Sequence, residues 1–535
     1  MGLPVRNTSH PVLIVGAGPT GLVLAIELAR RDIPFRLVDR LAEPGGLSRA
    51  IFIKSRTLEI FASLGLRSKF YEHGQIVDGV DIYANHMRVA GYRFANLDTP
   101  FPHILSLPES DVIEILTAKL ESLGGEIERG TEFIGLDPHE NRVRAHLRSA
   151  RAGTYTFDAN WVVGTDGYHS AVRQAVDDAF DGKDYPELWG VFDTRLSGWD
   201  KPRNIVCAQL EVPIAIPFPL GEDRWRIYFR TMDDKPQPLS EVAARLSVIC
   251  PEVRLREPEE AAYFHSHARL ARAFRVERVF LAGDAAHASN PIEGHGMNAG
   301  IQDAYNLGWK LAAMATGATG GVLVESYESE RRRVDADIVR SGDEAYGRMG
   351  PEARDERAGV YAFLSTPEGQ AFAALAESEI DFDYAGSPIV DDIGGEETMT
   401  GMTPVGVRIA DVDGLVRHGR PVSLHELLSG TALVVLLLAG DRYEDAFRTA
   451  HTTYEAATRN CPLDVELYVV LRHEHENAIP TDNLLFDPSG QLHARLAGDE
   501  PALVVIRPDG HLGFRSRPPT SDALKTYFMR LFHSN

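Results

Sequence analysis

The chain has 535 residues, 44% of them hydrophobic and 25% charged, with a formal net charge of −22. That length exceeds what a single core supports, so about two to four domains are expected. The acid excess argues against a nucleic-acid partner and against an anionic membrane surface, since both call for a surplus of Lys and Arg. Cys207, Cys250 and Cys461 show neither metal-ligand nor CxxC spacing, so reduced thiols, a cytoplasmic protein and no metal site are expected. "MGLPVRNTSH" lacks the apolar core of a signal peptide. No apolar run approaches the ~18 residues of a membrane-spanning helix.

In chain order, "VLIVGAGPTGLVLAIELARRDIPFRLVDR", residues 12–40, reads as strand, glycine turn, helix, strand and acid. Gly16 allows the tight turn, Gly18 lets backbone approach a pyrophosphate, and Gly21 lets the helix pack close to the sheet. Asp39, 18 positions past Gly21, stands where a carboxylate can accept a hydrogen bond from a ribose hydroxyl. The pattern predicts a βαβ unit that binds a dinucleotide, without choosing which one. Residues 48–66 turn helical in their second half, and 75–105 are strand-rich. "SDVIEILTAKLESLGGEIERG" predicts a helix capped by Ser110 or Asp111 and stopped at Gly124-Gly125. "WVVGTDG" predicts a buried strand, residues 180–270 a series of short strands, and "GMNAGIQDAYNLGWKLAAMA" a long helix. The loose stretch 386–407 leads into a final α/β unit containing "ALVVLLLAG", "DVELYVVLR" and "ALVVIRPDGHLGFR".

"GDAAHASNPIEGHGMNAGIQDAYNLGWKLA", 283–312, is more specific. Gly283, Asp284, His287, Pro291, Gly294, Gly296, Met297, Asn298, Asp303, Asn306, Trp309 and Lys310 resemble the flavin motif of the FAD-dependent aromatic hydroxylases, the single-component flavoprotein monooxygenases. "GTDGYHSAVR" resembles their D-G-x-x-S-x-V-R motif through Asp166, Gly167, Ser170 and Arg173. "RAIFIKSRTLE" resembles their arginine-bearing helix through Arg49, Arg56 and Glu59. The tail looks like the thioredoxin-like end of the phenol-hydroxylase branch, without CxxC. The resemblance implies an α/β fold: a Rossmann-type FAD-binding domain (1–74, 106–178 and 272–385) interleaved with a β-sheet substrate domain (75–105 and 179–271). A linker (386–404) and a thioredoxin-like C-terminal domain (405–535) complete it.

The same resemblance implies non-covalent FAD, NADPH or NADH as co-substrate, and O2. The expected reaction is hydroxylation of an activated aromatic ring through a C4a-hydroperoxyflavin. Baeyer–Villiger oxidation or epoxidation on the same scaffold, and a non-catalytic flavin-binding module, remain alternatives; a homodimer is left open. Gly16, Gly18, Gly21, Asp39, Arg40, Arg49, Glu109, Asp166, Arg173, Gly283, Asp284, Pro291, Gly296, Met297 and Asn298 are the expected cofactor contacts, with Arg49 and Arg173 as candidates for phosphate. Asp284 is expected to bond the ribityl chain. The helix from Met297 points its N-terminus at the charge of the reduced ring. The chain departs from the family at Glu109 and His295, where Gln is usual, and at Asn290 and Arg333, where Pro is common. His295 is thereby either a titrating group beside the ring or a tolerated turn residue. In "DRWRIYFRT" the period of two puts Arg226 and Tyr228 on one strand face and Trp225, Ile227 and Phe229 on the other. The first face is expected to line the substrate pocket, making Arg226, Tyr228 and His295 the catalytic candidates.

Overall fold

The computed structural model describes residues 11–43, 50–84, 86–210, 213–232, 235–290, 293–349, 353–394, 401–440, 443–473, 482–498 and 500–533. In the first of three large sheets, Val12–Val15 pairs in parallel with Phe35–Asp39 on one side and Trp161–Gly164 on the other. Val279–Leu281 and Ile127–Arg129 extend this parallel core, and Arg275–Val276 adds an antiparallel edge. Every residue of Val12–Val15 is buried, as a central parallel strand covered on both faces requires. The helices Pro19–Ala29 and Gly296–Ala315 pack against each other. The second of these matches the expected helix in both bounds.

The second sheet has nine strands and is organised around Phe180–Ser197, a strand of 18 residues. The run expected as short strands is therefore dominated by one long one, which pairs antiparallel with both Ala262–Ala271 and Arg224–Arg230. Its length lets it reach partners at both ends, with a register shift between Asp184 and Leu188. Beyond Arg224–Arg230 lie Ala215–Pro219, Ile205–Gln209, Gly79–Ala84 and Met87–Arg93. The parallel pair Ile205–Gln209 and Gly79–Ala84 joins two distant chain segments in one sheet. Trp225, Ile227 and Phe229 pack on Val242 and Leu246 of the helix Leu239–Leu246. On the opposite face Tyr228, Trp189 and Phe218 share a core with Ile51, Ile104 and Tyr346, so that face looks toward the first sheet's half of the molecule.

The C-terminal unit is an eight-stranded sheet. Leu433–Gly440 and Val465–Leu471 run parallel, with the helix Tyr443–Asn460 between them in the chain, and Ala502–Ile506 and Leu512–Ser516 form an antiparallel pair. Two local expectations change. Within the stretch read as linker, Asp391–Ile393 is an edge strand parallel to Leu512–Ser516, held also by the ion pair of Arg515 with Asp392. The helix expected to be capped by Ser110 or Asp111 runs Glu109–Ser122 with Pro108 as its N-cap and no side-chain cap. The proline's fixed φ starts the turn, and Glu109 and Asp111 lie in the first turn, where negative charge is favoured. No described helix is long and apolar enough to cross a membrane.

Candidate functional site

The glycine turn after Val12–Val15 divides its work between packing and access. Gly16 has φ +107°, and a Cβ there would lie 2.3 Å from the Thr165 carbonyl oxygen. A Cβ on Gly21 would lie 2.0 Å from the Gly16 oxygen. A Cβ on Gly18 would meet nothing within 4 Å, although Gly18 is the N-cap of Pro19–Ala29 and offers no side-chain cap. Open space over uncapped N–H groups at a helix start is the cradle a pyrophosphate fills. At the end of Phe35–Asp39, the Asp39 carboxylate accepts from the N–H groups of Ala17 and Leu41, each at 2.8 Å. Arg40 beside it is exposed.

Two further turns approach this one. Asp166 accepts from Ser170 Oγ at 2.5 Å and from the N–H groups of Ala171 and Val172, and burial raises its carboxyl above the ordinary range. Arg173 differs from expectation. Its terminal nitrogens donate to the carbonyls of Ala285 and Tyr168, each at 2.7 Å, and its guanidinium sits 3.8 Å over the Phe180 ring. It is a buried strut that ties the Asp166 turn to the Asp284 turn through these two carbonyls. In the single 3-10 turn Gly283–Ala285, the Gly283 N–H donates to Asp303 Oδ2 at 2.9 Å, leaving Asp284 on the exposed side. Asp303 is held in turn by Arg331 Nε at 2.6 Å and His287 Nε2 at 2.8 Å. Among the described residues, His287, Asp303 and Asp335 bring ligand-type atoms within 4.8 Å of one another. Arg331 lies among them, 3.1 Å from Asp335, whose carboxyl burial pushes up to about 8.

The third turn leads into Gly296–Ala315, with His295 as its N-cap. His295 is buried in an ionic cluster: Nδ1 lies 2.6 Å from Glu379 Oε1 and 2.8 Å from Lys54 Nζ, and Nε2 lies 3.7 Å from Glu293. Lys54, fully buried, also reaches Glu377 at 3.1 Å, and Gln302 donates to the second Glu379 oxygen at 2.5 Å. Burial raises the Glu293 carboxyl, against the pull of His295 and Lys54. Asn298 staples the turn with its side chain: its carbonyl accepts from the Lys54 N–H at 3.0 Å and its amide donates to the oxygens of Phe52 and Gly294. Gly296 and Met297 are half-buried at the helix start. Arg49 and Pro291 lie outside the described residues.

From this turn a line of aromatic rings crosses to the second sheet. Phe52 meets Phe218 edge-on at 4.7 Å, and Phe218 meets Tyr228 edge-on at 5.3 Å. Next to Tyr228, Arg226 Nε and Nη2 form a two-pronged pair with Asp193 at 2.7 and 3.0 Å, 3% exposed. Burial pushes the Tyr228 hydroxyl well above its ordinary range, with Arg226 opposing and the nearby Glu109 charge adding to it. The chain of rings Phe52, Phe218 and Tyr228 thus links the turn that carries His295 to the strand that carries Tyr228 and Arg226, and half-buried Glu109 lies within electrostatic reach of Tyr228.

The family described as the FAD binding domain matches residues 9–342, the span holding all three turns. The chain belongs to this FAD-binding family. It is 29% identical over 543 residues, 96% of this chain and 92% of the other, to 6-methylpretetramide 4-monooxygenase of Streptomyces rimosus. The structure of OxyS anhydrotetracycline hydroxylase from Streptomyces rimosus aligns with a TM-score of 0.77 at 26% identity, covering 98% of this chain and 99% of that one. A ternary complex of aklavinone-11 hydroxylase with FAD and aklavinone shares the fold, with a TM-score of 0.77 at 23% identity and coverage of 98% and 99%. Like these relatives, the protein is an FAD-dependent aromatic monooxygenase with an FAD-binding part and a substrate part.

Sequence reasoning passed over Lys54, Glu293, Glu377 and Glu379. The signal for Lys54 was its place beside Arg56 in "FIKSRTLE". Glu379 left none, since it meets His295 only through the tertiary packing of the helix Pro367–Ser378, which it terminates in the left-handed conformation.

Proposed function

We propose that this monooxygenase hydroxylates a phenolic substrate of several fused rings, using NADPH or NADH as reductant and O2 as oxidant. Bound FAD supplies two-electron chemistry and the activation of oxygen. The protein's own residues hold the ring systems, exclude water and place polar groups. In this reading the Gly18 cradle takes the pyrophosphate non-covalently, Asp39 a ribose hydroxyl and Asp284 the ribityl chain. The Gly296 helix start faces the ring system, where its partial positive charge favours an anion. The observation that carries the substrate assignment is the buried Arg226–Asp193 pair beside Tyr228, next to an apolar cluster rich in aromatic rings such as Trp189, Phe218 and Phe264. Tyr228 stays a neutral donor at physiological pH because burial raises it. It can therefore donate to a phenolic oxygen while Arg226, with its fork fixed by Asp193, balances developing negative charge. Relatives that act on tetracycline-type compounds and match this chain nearly end to end support fused rings over a single one. The helix-linked parallel pair followed by an antiparallel pair supports a thioredoxin-like reading of the C-terminal unit.

The test is oxidation of NADPH and NADH by purified holoprotein against phenols of one to four rings, with the product identified by mass and NMR. Stimulation by fused-ring phenols, an added oxygen and an intact ring system are expected. Ring-expanded lactones would replace hydroxylation with Baeyer–Villiger chemistry. No stimulation by any phenol would overturn the substrate assignment.

A further inference from the structure

The most family-like part of the long helix, Asn306, Trp309 and Lys310, faces away from the glycine turns. It points into the C-terminal unit. There the turn Arg507-Pro508-Asp509-Gly510 is closed by Gly510 N–H donating to the Arg507 oxygen at 2.9 Å, with Gly510 at φ +77°. Arg507, fully buried, grips Glu330 with both terminal nitrogens at 2.7 and 2.8 Å and holds Asp509 at 3.0 Å. Asp509 Oδ2 accepts from the Trp309 indole at 3.1 Å and the Asn306 amide at 3.2 Å. Lys310 completes the knot at 2.7 Å from Glu330. The Asp509 carbonyl also accepts from Arg56 Nη2 at 2.6 Å.

Arg56 stands two residues beyond Lys54, in the first turn of the helix Ser55–Ser63. The RPDG turn therefore binds both helices that frame the third glycine turn. One begins at Lys54, which touches His295 and Asn298; the other begins at Gly296 itself. Between Asn298 and Trp309 the helix advances about 16 Å, a rigid rod that carries a displacement at one end to the other. Glu59 on the shorter helix is held from the same side by Arg408 at 2.8 Å.

We propose that Arg507 and Asp509 are positioning residues for the flavin site: the C-terminal unit sets the relative placement of the two helices whose starts carry Lys54, His295 and Asn298. This rests on the FAD reading of the third turn. The unit is thereby a working part of the monooxygenase rather than an appended module.

The experiment compares full-length Asp509→Asn, Arg507→Gln and Trp309→Phe with Arg515→Gln, which breaks the Asp392 pair wholly within the C-terminal sheet. For each, the Kd for FAD is measured by titration of apoprotein, the midpoint potential of bound flavin by spectroelectrochemistry, and Tm by calorimetry. Asp509→Asn and Arg507→Gln are expected to weaken FAD binding by about tenfold to a hundredfold, the scale on which small misplacements act, and to shift the potential. Trp309→Phe, which loses one hydrogen bond, should move both in the same direction by less. Arg515→Gln should lower Tm while holding the parent Kd and potential. If the three turn-contact variants lose only Tm, as Arg515→Gln does, the proposal falls. If Arg507→Gln yields no folded protein, Asp509→Asn and Trp309→Phe decide by the same readouts. A parent protein that binds no FAD would instead overturn the FAD reading itself.

Discussion

Replacing Gly18 by valine separates the needs of the ligand from those of the fold. Gly18 has φ −76°, which any residue adopts, and a Cβ there meets nothing within 4 Å. The apoprotein should lose only the N-cap difference between glycine and a β-branched residue, about 1 kcal/mol or less. Bound FAD would meet the new methyl groups in the space above the uncapped helix start. Losing that contact forfeits the helix-terminus term of about 1–2 kcal/mol and adds the steric displacement, so Kd should rise by at least roughly tenfold to thirtyfold. Gly16→Ala provides the opposite case. With φ +107° and a Cβ at 2.3 Å from the Thr165 oxygen, it adds a left-handed penalty of about 1–2 kcal/mol to overpacking of about 1–3 kcal/mol. Apoprotein titration gives the Kd, and urea unfolding without FAD gives the stability. A Gly18→Val protein that binds FAD as the parent does would refute the pyrophosphate assignment, whatever its stability.

Asp284→Ala, at an exposed position, should cost FAD binding about 1–3 kcal/mol; equal affinity by titration would contradict the ribityl contact. Lys54→Met leaves Glu379, among the described residues, with His295 and Gln302, and should cost about 3 kcal/mol in urea unfolding; a neutral result would show that the lysine charge is dispensable in its cluster. His287 is pushed up to about 9, because burial is outweighed by the carboxylates of Asp335 and Asp303. Its folded value lies above the ordinary 6.5, so the stability its charge contributes is full below about pH 6.5 and is lost as pH rises through about 9. Burial also pushes the Asp335 carboxyl up to about 8, so the comparison is made in Asp335→Asn: unfolding free energies from about pH 6 to about pH 10 should fall more steeply there than in the Asp335→Asn/His287→Gln double variant, and parallel profiles would exclude the His287–Asp303 ion pair.

The glycine turns, their strands and the long helix were legible because each rests on local rules: apolar period, glycine spacing, the residues at a helix start. The alternation in "DRWRIYFRT" separated the two strand faces correctly, since Trp225 and Tyr228 enter different cores. What the sequence hid depends on distant partners. Arg173 looks like a phosphate ligand until Ala285 and Tyr168 are brought to it. His295 looks like a lone turn residue until Glu379, from a helix 84 positions away, meets it. Asn306, Trp309 and Lys310 read as part of a flavin signature, yet their contacts are with Glu330 and the RPDG turn.

The order of strands in the first sheet also sets the timetable of folding. Val12–Val15 needs Trp161–Gly164 as its neighbour, and Thr165 bonds the Val15 carbonyl across 150 residues. Trp161–Gly164 in turn waits for Val279–Leu281. A chain emerging from the ribosome therefore carries its first glycine turn on an incomplete sheet until more than half of the sequence has been made. Such long-range parallel pairing is slow and leaves apolar strand edges exposed to other chains meanwhile. Yield during expression should consequently respond more to temperature and chaperone supply than the stability of the finished protein would lead one to expect.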